Sequence, residues 1–120
     1  MDRFFEGLTN IAITVCDTEG NVIDMNQHSA DVNCHGCKII GKNLMDCHPE
    51  PAKTKLKGLL ANHQLNAYTI EKTLDDGSKV KKLIYQTPWW DETGAFGGLI
   101  EYSVEIPFEM PHFVRQPKQS

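Results

Sequence analysis

Most of this chain alternates. Apolar side chains recur at every second position in Ile11, Ile13 and Val15, resume at Val22, Ile23 and Met25, and opposite-facing sets run through 66–74, 80–90 and 99–106. A period of two puts successive side chains on opposite faces of an extended strand, so most of the fold must be a sheet. Only one stretch keeps helical time: Leu56, Leu59, Leu60 and His63 fall at i, i+3, i+4 and i+7. That spacing predicts one amphipathic helix over about 50–63, with Lys53, Lys55 and Lys57 in water. Pro49 and Pro51 suit its first turn, where a missing N–H costs nothing, and Glu50 suits the positive end of its dipole.

Punctuation orders the strands. Asp17-Thr18-Glu19-Gly20-Asn21 and Asp75-Asp76-Gly77-Ser78 are hairpin turns, and Asp91 to Gly98 is a glycine-containing loop. Pro88 must lie on an edge, at a bulge or at a strand end, since it donates nothing to a ladder. Phe4, Phe5 and Leu8 make a short helical arm over 3–9, and one or two short helical turns are expected between Asn26 and Gly41. Pro107, Pro111 and Pro117 forbid a single helix in the tail. The expected architecture is α+β: an arm over 1–10, a domain over 11–106 and a proline-containing tail over 107–120.

Composition then removes several functions. At 120 residues the chain makes one domain, and 40% hydrophobic residues give it an adequate core. Twelve basic against sixteen acidic side chains leave a charge of −4 without a basic block, which argues against nucleic acid or an anionic membrane as partner. No stretch reaches the about 18 apolar residues of a membrane span, and the start does not look like a secretory signal, so a cytoplasmic location is expected. No phosphate loop, Gly-x-Ser-x-Gly, His-Glu-x-x-His or dinucleotide fingerprint is present, and the chain is expected to be non-enzymatic. The acidic pairs Asp75-Asp76 and Asp91-Glu92 read as turns.

Taken together, "VIDMN" at the end of the second strand, "IGKNL" before the long helix, the "DDGS" hairpin and the last strand "GGLIEYSVEI" resemble the PAS domain family over about residues 8–106. Asn43-Leu44-Met45-Asp46-Cys47-His48-Pro49 is similar to a narrower subgroup with Cys-His-Pro before the long helix. The resemblance implies a five-stranded antiparallel sheet in the order 2-1-5-4-3, with helices enclosing a cavity on one face. It also implies a sensory or ligand-binding role in signal transduction, non-enzymatic, through a homodimer or an effector in trans. Asn26, Cys47, His48, Leu56, Leu60 and Tyr85 are the candidate ligand-binding residues.

The cofactor is not fixed by sequence. A small metabolite fits the pattern, and haem would need a histidine such as His48 or His63. A light-sensing flavin adduct is disfavoured, because Leu44 stands where the reactive cysteine would be. Cys34, Cys37, Cys47 and His48 have permissive spacing for one zinc ion, which gives an alternative reading as a metal- or redox-responsive protein. Lys38 spoils the Cys-x-x-Cys-His of covalent haem. Of Trp89 and Trp90, one should pack inward and one outward. The third reading is a ligand-free interaction module.

Overall fold

The computed structural model describes residues 1–118. Its elements run α1 (Arg3–Glu6), β1 (Ile11–Cys16), β2 (Val22–Met25), α2 (Gln27–Asn33), α3 (Leu44–Cys47), α4 (Ala52–Asn62), β3 (Asn66–Thr73), β4 (Lys79–Trp90) and β5 (Phe96–Ile106). The strands form one sheet in the order β2-β1-β5-β4-β3, and every neighbouring pair is antiparallel. This is the expected α+β architecture. From Pro107 to Lys118 the tail forms neither helix nor strand, and the last two residues of the expected tail lie outside the described residues.

The first turn is organised by Asp17. Its carboxylate accepts from the Glu19 and Asn21 backbone N–H groups and from the Asn21 side chain, while Gly20 supplies a φ of 87°. The turn then meets the segment before the long helix. Asn43 caps α3 through Met45 N–H and donates to Glu19 O and Asn21 Oδ1, and Leu44 N–H donates to Gly20 O. Val22 exchanges backbone bonds with Gly41 and Lys42. The "VIDMN" and "IGKNL" segments are thus two sides of one contact.

The core has two clusters under the helices. Leu56, Leu59 and Leu60 of α4 pack on Cys16 and Leu99, and Val22 and Met25 pack on Ala30 of α2. Leu44 touches both clusters. These helices cover the β2-β1-β5 side of the sheet, whereas no residue of β3 is fully buried.

Three local expectations need correction. The long helix starts after both prolines, with Pro51 as its N-cap residue, because neither proline nor the residue before one readily takes helical geometry with a bonded N–H. His63 does not continue the leucine stripe: it takes a left-handed φ of 54° as C-cap and stacks on Phe96 at 3.7 Å. The arm is helical only over Arg3–Glu6 and buries none of those residues. Polar contacts hold it instead, from Lys38 to Glu6 at 2.9 Å and from the terminal amine to Asp24 at 3.4 Å.

Pro88 sits where sequence logic allows it. β3 pairs with β4 only as far as Asn66 opposite Gln86, so beyond that point β4 has β5 as its sole neighbour, and a bulge follows at Trp89/Trp90. Trp89 is half-buried and Trp90 exposed, its ring edge-on to His63 and Phe96.

Candidate functional site

Residues paired across antiparallel strands share a face, so the register gives the inner wall directly. Facing the helices are Thr14 and Cys16 of β1, Leu99, Glu101 and Ser103 of β5, Lys82, Ile84 and Gln86 of β4, and Asn66, Tyr68, Ile70 and Lys72 of β3. Between this wall and α2, α3 and α4 lies a cavity of two lobes that share Thr14, Leu44, His48 and Glu101. The first lobe, about 350 Å³, runs towards Leu56 and Asn66. The second, about 320 Å³, runs towards Cys34, Ser29, Ile70 and Lys82. Such volumes lie at the lower end of the range for small-molecule sites and suit a small metabolite better than a haem macrocycle.

Glu101 stands at the junction. Gln86 donates to its carboxylate at 3.3 Å, and Asn66 donates to the Gln86 carbonyl oxygen at 2.8 Å, giving a hydrogen-bonded row across three strands. Burial pushes the Glu101 carboxyl above its ordinary range, with the charge of His48 and the Gln86 bond pulling the other way. His48 Nδ1 lies 2.7 Å from the Leu44 carbonyl oxygen, which fixes the ring at the end of α3 and leaves its other edge towards the cavity. Thr14 is opposite Glu101 in register and shares a hydrogen bond of 2.6 Å with Ser29. The wall therefore offers a buried carboxylate, an imidazole, amides and hydroxyls to whatever enters.

The six candidate ligand residues have different fates. His48 lines both lobes, Cys47 the second and Leu56 the first. Leu60 is buried in the core under α4 and reaches neither lobe. Tyr85 lies on the outer face, 37% exposed, because the inner set of β4 is even-numbered. Asn26 is fully buried but outside the cavity. Its Oδ1 accepts from Ile13 and Ser29 N–H, and its Nδ2 donates to Phe5 O and Ile11 O, so nothing remains for a ligand.

The proposed metal set does not converge. Among the described residues no three His, Cys, Asp or Glu side chains are grouped to hold an ion. Cys34 and Cys47 line the second lobe with His48, whereas Cys37, also a free thiol, faces water away from it. Burial, with smaller contributions from Cys47 and Cys37, raises the Cys34 pKa, which disfavours the thiolate a metal needs. The acidic pairs are turn builders: Asp76 accepts from Ser78, and Asp91 from Thr93 and Ala95. Sequence reading missed Glu101, Gln86, Asn66 and Lys82. The signal was the alternating polar set Glu101, Ser103 and Glu105 on the last strand, of which Glu101 and Ser103 line the cavity.

A family model described as the PAS fold matches residues 8–107. Among solved structures, the PAS domain of BvgS from Bordetella pertussis is similar, with a TM-score of 0.60 and 19% identity over 87% of this chain and 82% of that one. A PAS domain from Colwellia psychrerythraea gives 0.58 and 20%, over 85% and 90%. The VqmA dimer of Vibrio cholerae gives 0.66 and 14%, over 88% of this chain but 51% of that one, so this chain spans about half of VqmA. VqmA has also been solved bound to DPO. Comparison with curated protein sequences finds no match.

Proposed function

The chain belongs to the PAS family, whose members are sensory modules of signal transduction, and from that premise we propose that this domain binds a small metabolite in its two-lobed cavity and passes the signal on by protein contacts. The observation that carries the reading is the convergence of Glu101, Gln86, His48 and Thr14 on one partly enclosed space. Buried polar groups without water are costly, and a pocket lined by several of them is organised to recognise something. PAS modules are generally non-catalytic, and nothing in this wall pairs a nucleophile with a base.

The output surface is the outer face of the sheet. Ile13, Leu83, Ile100, Tyr102 and Val104 share it by register and form an apolar stripe across β1, β5 and β4. A second copy or an effector of matching apolar character would cover it. Ligand binding signals only by favouring one arrangement over another, and β5 carries both Glu101 on one face and Tyr102 and Val104 on the other. VqmA, about half of which this chain matches, occurs as a dimer and has been solved bound to DPO, and this likeness supports the reading. No helix among the described residues is long and apolar enough to cross a membrane.

Native mass spectrometry of the purified chain tests the reading. Retention of a small molecule that is lost in Glu101→Leu supports it, whereas an unliganded cavity that accepts no compound from a metabolite library removes it. An absorption scan separates a coloured cofactor from a colourless metabolite.

A further inference from the structure

Lys82 is the one strongly buried cation of the cavity wall. It points inward from β4, is 8% exposed, and lines the second lobe. Among the described residues it has no carboxylate within ion-pair distance and no hydrogen-bond acceptor. Its stem is covered by the sheet while the ammonium still reaches the open space of the lobe, so it stands unpaired and available to an entering anion. Burial and the neighbouring Lys72 both act to depress its pKa. Glu105 opposes them from the facing position of β5, but its side chain is exposed at the sheet's end and makes no ion pair with Lys82.

The opposite end of the same lobe has the opposite character. Gln86, the β4 residue facing Glu101, is four residues along from Lys82, which places the two rows about 13 Å apart at roughly 3.3 Å per residue. Both side chains are long enough to close much of that gap. Between them lie Ile84 and Ser103. At roughly 30 Å³ per water, 320 Å³ holds about ten waters and so a molecule of similar heavy-atom count.

We propose that the second lobe recognises a small zwitterion, with a carboxylate paired to Lys82 and an amine or other hydrogen-bond donor directed at Glu101. This rests on the cavity being a ligand site. A dication would meet Lys82 and Lys72 unfavourably, and a dianion would meet Glu101.

Three five-carbon probes separate these cases by calorimetry: 5-aminopentanoate, glutarate and 1,5-diaminopentane. The expected order has 5-aminopentanoate tightest and the diamine about tenfold weaker or worse. Lys82→Met, which removes an unpaired charge and should leave stability equal or higher, weakens both carboxylates about tenfold. Glu101→Gln abolishes the preference for 5-aminopentanoate over glutarate. Equal binding of the diamine, carboxylate binding indifferent to Lys82→Met, or no binding of 5-aminopentanoate overturns the proposal. If the chain retains another small molecule in native mass spectrometry while these probes fail, the sensory reading stands and only the zwitterion falls.

Discussion

Asn26 commits its entire side chain to backbone groups: two acceptor bonds hold β1 to the start of α2, and two donor bonds hold the arm to β1. Asn26→Ala leaves at least two buried backbone groups without partners and removes a helix cap, a loss of roughly 2–4 kcal/mol in urea unfolding. A loss below about 0.5 kcal/mol would mean that water or another side chain substitutes for it. Glu101 makes a different prediction because its folded pKa is raised. The native state then holds a proton that the unfolded state releases, so this group's contribution falls as pH rises from the ordinary carboxylate range through the folded pKa. Glu101→Gln lacks that loss. Relative to wild type it should gain stability with rising pH across that window and differ little below it; equal urea midpoints throughout would remove the burial argument. Alternation disclosed which residues share a face with Glu101, but not which face turns inward. The structure turns Ile100, Tyr102 and Val104 outward and Glu101 and Ser103 towards the cavity.

At the scale of elements, extended backbone was the legible part, because strand period and turn residues are local signals. β1 occupies the expected 11–16, and β3 and β4 differ from expectation by single residues. The helices were less legible since their ends depend on tertiary contacts: Asn43 as a cap makes sense only with the first turn packed against it. The tie between β4, β5 and β1 was not legible at all. The Trp89 indole crosses β5 to donate to Cys16 O at 3.0 Å, above Gly97, where a Cβ would come within 2.4 Å of the ring. Gly98 has a φ of 142°, and a Cβ there would lie 2.0 Å from Cys16 O, in backbone that cannot swing aside. Gly98→Ala should therefore cost about 3 kcal/mol or more, or prevent folding. Gly97→Ala should cost less, because an indole can move, and should lose the Cys16 bond, which tryptophan fluorescence would report. Equal unfolding midpoints for the two variants would refute this ranking.

For the whole molecule, the two faces of β5 set the terms of any signal. The inner face carries the titratable and hydrogen-bonding groups of the cavity, and the outer face carries Ile100, Tyr102, Val104 and Ile106 between the apolar residues of β1 and β4. Ile13 is already covered and Leu83, Ile100, Tyr102, Val104 and Ile106 are part-buried, so a partner would complete the covering of this face, and a stable pairing of two copies would need about 800 Å² from each. Phe4 and Phe5 of the arm are also exposed, but the arm is anchored by polar contacts at the β2–α2 side, so it can add to an interface without being its centre. Val104→Asp places an unpaired charge in the middle of the stripe without touching the cavity wall. Light scattering should then give the monomer mass for Val104→Asp and the dimer mass for wild type, while deletion of residues 1–9 weakens association only in part. If Val104→Asp keeps the wild-type mass and the arm deletion alone lowers it, the arm rather than the sheet is the contact. Ligand affinity measured on the Val104→Asp monomer completes the argument: coupling between the faces requires it to differ from that of the dimer, since a ligand that shifts association must itself be shifted by it.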